Sequence, residues 1–485
     1  MSNHRKFYID GAWVDPAAPN DFDVINPDDE SPVAVISLGT AEDIDRAVQA
    51  ASRAFESFGQ TPHAERLRLL EALLAIYESR IEEVARVISL EMGAPISMAR
   101  AAQAEAGRGD IQATVDALRN FQYEQPVGPS GDILVHEPIG VCGLITPWNW
   151  PMNQITLKVA PALGVGCTVV LKPSEIAPLS GLLFAEMVHE AGYPPGVFNL
   201  VNGEGPVVGP ALSSHPLVDM MSFTGSTRAG VSVAKNAADS VKRVSQELGG
   251  KSPNIIFEDV DLERAVKRGV RHCFNNTGQS CNAPTRMLVQ RSVYDKALEI
   301  AQATAEATAV GHSGEEGSHI GPLVSAVQFD KVQGLIETAI KDGNRLLVGG
   351  PGRPEGFEKG YFVRPTVFAD VDNADTIARE EVFGPVLAMI PFDTEDEAVR
   401  LANDTPYGLA AYLSTEDEAR ANRVARRLRA GMVHINGADQ DWGTPFGGYK
   451  QSGNGRENGA FGLREFMEVK AISGSRQAVS GSQAA

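Results

Sequence analysis

Cys281 is a candidate nucleophile because of the residues that surround it. It lies in a stretch from Phe274 to Arg286 that is rich in small and amide-bearing residues. A cysteine that serves only packing behaves as a small hydrophobe and suits an apolar run, as Cys142 does. Around Cys281, Gly278 and Pro284 instead indicate an exposed turn, where a thiolate could meet a substrate. These residues alone do not distinguish a nucleophile from an inert loop cysteine.

Glu247 is the second candidate for chemistry. It ends a predicted strand and precedes Gly249 and Gly250, which allow other backbone to approach closely. A carboxylate at this position could act as a general base or could cap the next helix, and taken alone the residues favour the cap. Lys172 and Glu175 follow another predicted strand. They could hold a ribose through its hydroxyls, and a solvated ion pair explains them equally well.

Two glycine-rich segments have the spacing of phosphate-binding loops. Gly225 and Gly230 are spaced as in a P-loop, but Val231 stands where a P-loop requires lysine. A nucleoside triphosphatase is therefore disfavoured, while the helix N-terminus after a strand still suits a pyrophosphate. The segment from Gly203 to Gly209 misses the GxGxxG spacing by one residue, which favours a plain turn.

A cysteine hydrolase is a different chemistry to consider, since it would pair Cys281 with a histidine. His272 and His434 are the candidates. Neither has an identifiable asparagine or aspartate to orient it, and a lone histidine is more often structural.

The elements that must position these residues follow a clear pattern. The segment Phe7–Val14 predicts a peripheral hairpin around an Asp-Gly turn. Three helical regions follow: one begins at Thr40 with a Thr40-x-x-Asp43 capping box, and the others span about 64–90 and 96–121. Short apolar runs then alternate with helices, which predicts parallel βαβ units; they span 141–146, 168–171, 198–201, 220–223 and 244–248.

The polar segments follow four of these predicted strands, where parallel sheets bind ligands. A second α/β region follows Pro253, with helices after Asp261 and near 292–309 and 325–342, and strands at 287–289 and 433–435. The fold class is therefore α/β with more than one domain, as 485 residues also suggest.

Composition restricts the class of protein further. The chain is 43% hydrophobic and 22% charged, typical of a compact globular protein, and its net charge of −19 opposes binding to nucleic acid or an anionic membrane. No stretch approaches the roughly 20 apolar residues of a membrane span, and the N-terminus leads into no signal-peptide core. We therefore expect a cytoplasmic protein. Its four cysteines form no CxxC pair or zinc-like cluster, so free thiols and no metal site are expected.

Taken together, the motifs resemble the NAD(P)-dependent aldehyde dehydrogenase superfamily, in the family's order, from about Phe7 to Lys470. The segments that carry the resemblance are Pro147-Trp148-Asn149-Trp150-Pro151, Lys172-Pro173-Ser174-Glu175, Phe223-Thr224-Gly225-Ser226-Thr227, Glu247-Leu248-Gly249-Gly250-Lys251, Gly278-Gln279-Ser280-Cys281, Glu381-Val382-Phe383-Gly384-Pro385 and Pro445-Phe446-Gly447-Gly448. The resemblance implies a Rossmann-like cofactor domain (1–119 and 142–250), an α/β catalytic domain (251–450) and a small β oligomerisation or bridging element (120–141 and 464–485). It also implies a homodimer or homotetramer.

The resemblance further implies roles for individual residues. Cys281 would be the nucleophile, Glu247 the general base and Asn149 an oxyanion donor with the Cys281 backbone N–H. Lys172 and Glu175 would hold the adenosine ribose, Ser226 the pyrophosphate, and Glu381 with Phe383 the nicotinamide ribose and ring. The remaining cofactor positions would be Ile145, Thr146, Trp148, Ser174, Gly205, Gly225, Gly230 and Leu248. We expect NAD, with NADP possible, because Glu175 near the ribose 2′-hydroxyl would repel a 2′-phosphate.

The implied reaction is the oxidation of an aldehyde to a free carboxylic acid. Glu247 disfavours the alternative of an acylating enzyme that passes the thioester to coenzyme A, and the intact set of Cys281, Glu247 and Asn149 disfavours a non-catalytic relative.

Two features depart from common family patterns: Asn282 follows the nucleophile, and Asp439 and Asp441 precede Phe446, which by resemblance lines the substrate tunnel. We hypothesise that these aspartates favour neutral or amino-bearing aldehydes over carboxylate-bearing ones, although two solvated loop residues remain an alternative.

Overall fold

A computed structural model describes residues 3–129 and 131–474. The strands are β1 (Phe7–Ile9), β2 (Ala12–Val14), β3 (Asp21–Ile25), β4 (Pro32–Ser37), β5 (Glu124–Val127), β6 (Asp132–Pro138), β7 (Val141–Ile145), β8 (Thr168–Lys172), β9 (Phe198–Leu200), β10 (Met220–Thr224), β11 (Arg243–Glu247), β12 (Pro253–Ile256), β13 (Arg286–Gln290), β14 (Arg345–Val348), β15 (Thr366–Ala369), β16 (Val386–Phe392), β17 (Ala410–Ser414), β18 (Met432–Ile435) and β19 (Met467–Ile472).

The α-helices are α1 (Ala41–Phe58), α2 (His63–Ser79), α3 (Ile81–Met92), α4 (Ile96–Met98), α5 (Glu105–Arg119), α6 (Pro151–Val165), α7 (Leu179–Glu190), α8 (Gly205–Ser213), α9 (Thr227–Ala237), α10 (Leu262–Phe274), α11 (Arg291–Glu306), α12 (Ala326–Lys341), α13 (Thr376–Arg379), α14 (Glu395–Asn403), α15 (Glu418–Arg427) and α16 (Gly459–Glu465). Within the described residues, no helix is both long and apolar enough to cross a membrane.

The first seven-stranded sheet has the order β11-β10-β7-β8-β9-β1-β2. The five strands from β11 to β9 are parallel, as predicted. Alternate residues of β7 enter two different apolar cores: Cys142 and Leu144 face one, and Val141 and Ile145 face the other. Burial on both faces explains why these strands are continuous apolar runs. The predicted N-terminal hairpin forms, but it is not peripheral, because β1 pairs with β9 and extends this sheet.

The second seven-stranded sheet has the order β14-β15-β16-β13-β12-β17-β18, and only β14 is antiparallel to its neighbour. Ile255 and Leu288 face one core, while Ile256 and Met287 face another, so helices cover both faces of this sheet as well. The α/β fold class is therefore confirmed, including the α/β region predicted after Pro253.

A three-stranded antiparallel sheet of β5, β6 and β19 joins residues before β7 to the C-terminal region. Its strands lie within the segments predicted for the bridging element, although 475–485 falls outside the described residues. The first large sheet uses strands between 7 and 14 and between 141 and 247, and the second uses strands between 253 and 435. The exact domain boundaries stay a prediction.

The predicted helices form, with two differences. Thr40 caps α1 as predicted, and its N–H donates to the Asp43 carboxylate (2.9 Å). The run predicted over 64–90 breaks at Arg80, whose guanidinium binds Glu83 (2.7 Å) and Glu186 (3.0 Å). The run predicted over 96–121 contains a π-helical segment, Ala99–Ala104, and ends at Arg119. Such a segment marks a local departure from the regular helix, often near functional sites.

Candidate active site

The carboxyl ends of four parallel strands meet at one edge of the first sheet. The last residues of β7, β8, β10 and β11 are Ile145, Lys172, Thr224 and Glu247. Ligands bind beyond this edge in open parallel sheets. The polar segments that the sequence placed after these strands are therefore brought together.

A cavity of about 210 Å³ lies between this edge and the loops of the second sheet. Its lining residues are Pro147, Trp148, Asn149, Thr224, Gly225, Ser226, Leu248, Gly249, Cys281, Gln328, Lys331, Glu381 and Phe383. Cys281 and Asn149 thus share one cavity with several residues predicted to bind the cofactor. The other predicted cofactor residues lie around the same edge without lining this cavity: Ile145, Thr146, Lys172, Ser174, Glu175, Gly205 and Gly230.

The loop that carries Cys281 has an unusual backbone. Asn276 and Thr277 have positive φ angles of 53° and 55°, and Gly278 follows with φ 73°. A Cβ at Gly278 would lie 2.1 Å from the carbonyl oxygen of Gly384, so glycine is required there by both conformation and space. The loop therefore fits closely against the segment that contains Glu381 and Phe383.

Asn149 is tied to this loop by side-chain amides. Its Nδ2 donates to the carbonyl oxygen of Gln279 (3.0 Å), and the Nδ2 of Asn276 donates to the carbonyl oxygen of Asn149 (2.9 Å). Gln103, within the π-helical segment, donates in turn to Asn276 Oδ1 (2.9 Å). These buried hydrogen bonds hold Asn149 in a fixed relation to the turn at Cys281.

Cys281 lies in a turn, as predicted, but it is partly buried rather than exposed. Burial, and next the negative charge of Glu381, raise the pKa of the Cys281 thiol. The thiol is free, as are Cys142, Cys167 and Cys273.

Neither histidine proposed for a hydrolase is hydrogen-bonded to Cys281 in the part of the chain that the structure describes. The ring of His434 stacks on Tyr412, and the ring of His272 meets the same tyrosine edge-on. The geometry therefore does not support a Cys-His pair.

Glu247 ends β11 with its side chain only 3% exposed. Neither carboxylate oxygen has a hydrogen-bond partner among the described residues, so Glu247 does not cap a helix. Burial raises the pKa of Glu247 well above its usual value, and Glu457 raises it further, while Lys158 opposes the shift. An unpartnered buried carboxylate with a raised pKa is characteristic of a general base.

The glycine pair after Glu247 has a direct structural reason. A Cβ at Gly249 would lie 2.4 Å from Glu381 Oε2, and a Cβ at Gly250 would lie 2.3 Å from the carbonyl oxygen of Cys281. The N–H of Gly250 donates to Glu381 Oε1 (2.9 Å). These glycines therefore let Glu381 and Cys281 approach the end of β11.

The helix N-terminus that was predicted to bind the pyrophosphate forms, and its role in binding stays a prediction. Ser226 is the N-cap of α9, and its hydroxyl accepts from the N–H of Ala229 (3.3 Å). Gly230 is also required, since a Cβ there would lie 2.6 Å from Leu248 Cδ2. The segment after Gly203, expected to be a plain turn, instead leads directly into α8, which begins at Gly205.

Lys172 and Glu175 form an ion pair of 2.8 Å between Nζ and Oε2. The Lys172 side chain is only 4% exposed, so the pair is not simply a solvated surface contact. Nearby, the hydroxyl oxygens of Thr146 and Thr224 are buried and have no partner among the described residues. Buried polar atoms of this kind are normally satisfied by a ligand or water.

Sequence reasoning missed Gln328 and Lys331, which reach the cavity from α12. The Nε2 of Gln328 donates to the carbonyl oxygen of Phe383 (2.7 Å), and burial lowers the pKa of Lys331. No local motif marks either residue, because they reach the site only when α12 packs against the loop at Phe383. Asp439 and Asp441 are exposed, and their influence on substrate choice stays a prediction.

These features define an α/β protein in which a cysteine and a buried carboxylate lie at the carboxyl ends of parallel strands, where such sheets bind cofactors. Residues 13–472 match the model of the aldehyde dehydrogenase family, and the chain belongs to that family. The general reaction of the family is the oxidation of aldehydes with NAD(P).

Individual relatives cover nearly the whole chain. A 3-succinoylsemialdehyde-pyridine dehydrogenase from a Pseudomonas species is 53% identical over 98% of this chain and 99% of its own. An aldehyde dehydrogenase structure from Bartonella henselae has a TM-score of 0.96 and 55% identity, covering 98% of this chain and 100% of its own. A cysteine-to-alanine variant of aldehyde dehydrogenase C from Pseudomonas syringae, in complex with NAD+ and octanal, has a TM-score of 0.96 and 50% identity, covering 98% of each chain.

Proposed function

We propose that this chain oxidises an aldehyde to the free carboxylic acid with NAD, through a thiohemiacetal and then a thioester on Cys281. The observation that carries the proposal is the buried, unpartnered carboxylate of Glu247, which directly precedes two residues that line the cavity of Cys281, Leu248 and Gly249. An enzyme that passes the acyl group to coenzyme A has no need of a base to activate water. Glu247 therefore favours hydrolysis over acyl transfer to a thiol.

The residues present fit a dinucleotide. The N-terminus of α9 at Ser226 suits the pyrophosphate, and Lys172 with Glu175 suits the adenosine ribose. The unpartnered hydroxyls of Thr146 and Thr224 lie at the same strand ends. Glu381 and Phe383 would hold the nicotinamide ribose and ring, where the bound cofactor supplies the hydride acceptor.

The first chemical step uses Cys281 and Asn149. The Cys281 thiol must lose its proton, and its sulfur then attacks the aldehyde carbon to form a C–S bond while the carbonyl oxygen becomes an alkoxide. We assign Asn149 Nδ2 and the backbone N–H of Cys281 as the donors that stabilise this oxygen, since preorganised donors act best where charge develops. Collapse of the alkoxide restores the C=O bond as hydride leaves for the nicotinamide that Glu381 and Phe383 would hold, and the product is a thioester.

Glu247 carries the second step. Its carboxylate takes a proton from water while the water oxygen attacks the thioester carbon, and cleavage of the C–S bond releases the acid and the Cys281 thiolate. The pKa of Glu247, which burial raises, makes its carboxylate a stronger base than an ordinary glutamate. Lys158, itself buried and paired with Glu457, places a positive charge near this carboxylate and opposes the rise.

The proposed function is tested by following NADH absorbance with a panel of aldehydes, with and without coenzyme A. We expect NADH and a free acid without coenzyme A, and no acyl-coenzyme A when it is present. The panel includes neutral, ω-amino and ω-carboxy aldehydes of equal length, because Asp439 and Asp441 are hypothesised to disfavour the anionic ones. Absolute dependence on coenzyme A would refute the hydrolytic function.

NAD is expected to be preferred over NADP by about tenfold in kcat/KM, because a 2′-phosphate near Glu175 meets a like charge. Lys172 is paired with Glu175 and offsets part of this repulsion, which limits the size of the preference. Steady-state kinetics with both cofactors measure the ratio, and Glu175→Gln should reduce it. Glu190→Gln, which changes an exposed carboxylate at the end of α7, is the control and should leave the ratio unchanged. Equal efficiencies in the parental protein would show that Glu175 does not face the 2′ position.

We also propose that the protein is a homodimer or homotetramer. The support is the three-stranded sheet, in which all four residues of β5 are exposed and β19 exposes Val469 (58%) and Ile472 (40%). An exposed edge strand with apolar side chains, as in β19, favours pairing with another chain, and a second copy is the simplest partner. Light scattering coupled to size exclusion measures the mass in solution, and a monomer at micromolar concentration would rule the proposal out.

A further inference from the structure

The turn from Ser280 to Ala283, here called the nucleophile turn, is held from both sides by side-chain hydrogen bonds. Before the cysteine, Trp150 Nε1 donates to Ser280 Oγ (2.9 Å). After the cysteine, the hydroxyl of Tyr412 donates to the carbonyl oxygen of Asn282 (3.0 Å). Cys281 therefore lies between two anchored neighbours.

The Tyr412 ring has little freedom to move. It lies within β17 and is only 8% exposed, and β18 places His434 opposite it in register. The two rings stack with centroids 4.8 Å apart and planes 13° apart. The Nδ1–H of His434 donates to the carbonyl oxygen of Ala438 (3.0 Å), which fixes the second ring as well. The Tyr412 hydroxyl is thus directed at Asn282 by a rigid support.

Tyr412 also contacts the helix that leads into the nucleophile loop. His272, on the last turn of α10, meets the Tyr412 ring edge-on with centroids 4.9 Å apart. Burial, and then the electrostatic influence of His434, lower the pKa of His272 to about 4. At neutral pH the His272 ring is therefore uncharged and packs as an aromatic group. Tyr412 therefore contacts both His272, on the helix before Cys281, and Asn282, directly after Cys281.

We propose that Tyr412 is a positioning residue that holds the nucleophile turn, through Asn282, in the orientation that attack by Cys281 requires. This inference rests on the proposed function. Attack requires the sulfur and the aldehyde carbon to approach in an aligned geometry, and a displacement of about 1 Å can cost up to about 100-fold in rate. The same turn carries the Cys281 N–H, so its orientation also places the proposed oxyanion donor.

The test compares Tyr412→Phe with Tyr294→Phe. Phenylalanine keeps the stacked ring and removes only the hydroxyl. Tyr294 is the control, since it is similarly buried and its hydroxyl donates to the carbonyl oxygen of Met389 (3.2 Å) in the same sheet and accepts from the N–H of Asp370 (2.8 Å), away from the cavity. The readout is a single-turnover experiment with NAD present and enzyme in excess over aldehyde, followed by NADH absorbance.

For Tyr412→Phe, we expect the single-turnover rate constant to fall about 5- to 20-fold, with an unchanged amplitude and unchanged Kd for NAD. The limiting aldehyde sets the amplitude, so simple destabilisation would instead raise the enzyme concentration needed to reach an unchanged limiting rate constant. Tyr294→Phe should keep the parental rate constant. Equal limiting rate constants for the two variants at saturating enzyme would overturn the positioning role.

A second variant covers the case in which Tyr412→Phe does not fold. His434→Ala removes the partly exposed ring stacked on Tyr412 and leaves the hydroxyl in place but less constrained. We expect its single-turnover rate constant to fall about two- to fivefold, again at full amplitude. A parental rate constant in His434→Ala would then refute the proposal. An inactive parental protein in the aldehyde panel would refute the proposed function instead.

Discussion

Replacing Cys281 with alanine is expected to abolish aldehyde oxidation, lowering kcat by at least about 10⁴-fold, because no thiol remains on the turn to form the covalent intermediate. Folding should be nearly unchanged, with a loss of stability of no more than about 1 kcal/mol, since a partly buried thiol in a turn contributes little packing. NADH absorbance gives the activity, and thermal unfolding gives the stability.

Cys273→Ala is the matched control for this experiment. Cys273 is fully buried in α10, and its Sγ contacts the carbonyl oxygen of Val386 (3.6 Å). Its loss should lower the melting temperature while leaving activity per folded molecule intact. The reverse pattern, with Cys281→Ala active and Cys273→Ala inactive but stable, would contradict the assignment of the nucleophile.

Glu247→Gln is expected to separate the two halves of the reaction. Thiol attack and hydride loss should still produce about one NADH per active site, provided that another base deprotonates Cys281. The steady-state turnover that follows should be about 10² to 10⁴-fold slower than in the parental protein, because water is no longer activated. Stopped-flow absorbance measures both phases. Glu91→Gln is the control, since that carboxylate is also buried but accepts hydrogen bonds from Leu179 and Ser180 outside the cavity. Loss of the first phase would assign Glu247 to an earlier step, such as deprotonation of Cys281.

The pH dependence provides a second readout for Glu247. A carboxyl group whose pKa is raised stays protonated to higher pH, and only its ionised form can act as a base. Thioester hydrolysis should therefore increase with pH through a range above that of an ordinary glutamate. Glutamine does not titrate, so this increase should disappear in Glu247→Gln. A flat profile in the parental protein would show that Glu247 is already ionised or that another step limits turnover.

Local patterns in the sequence predicted much of the fold. The apolar runs around Val141, Val169 and Met221 predict strands because both faces of a parallel sheet are buried. The cap at Thr40 is also local, since it requires only residues three positions apart. The break at Arg80 was not predicted, because the ion pair with Glu186 joins residues far apart in sequence.

The sequence alone also contained the motifs of the site, but it did not show which contacts require them. Gly249 and Gly250 follow a strand in the sequence, whereas only the folded chain shows that Glu381 and Cys281 occupy the space of their missing side chains. Gln328 and Lys331 carry no motif, because their contribution depends on how α12 packs.

The sequence by itself determined which chemical groups are available, namely a thiol, a carboxylate and an amide in the order of a known family. Only the tertiary structure decided the state of these groups. Burial at the end of β11 leaves Glu247 without partners, and three amide side chains fix Asn149 to the loop of Cys281. Tyr412 and His434 act on the same turn from strands more than a hundred residues away along the chain. Solvent exclusion and hydrogen bonding between distant segments set these properties, and neither depends on spacing along the chain.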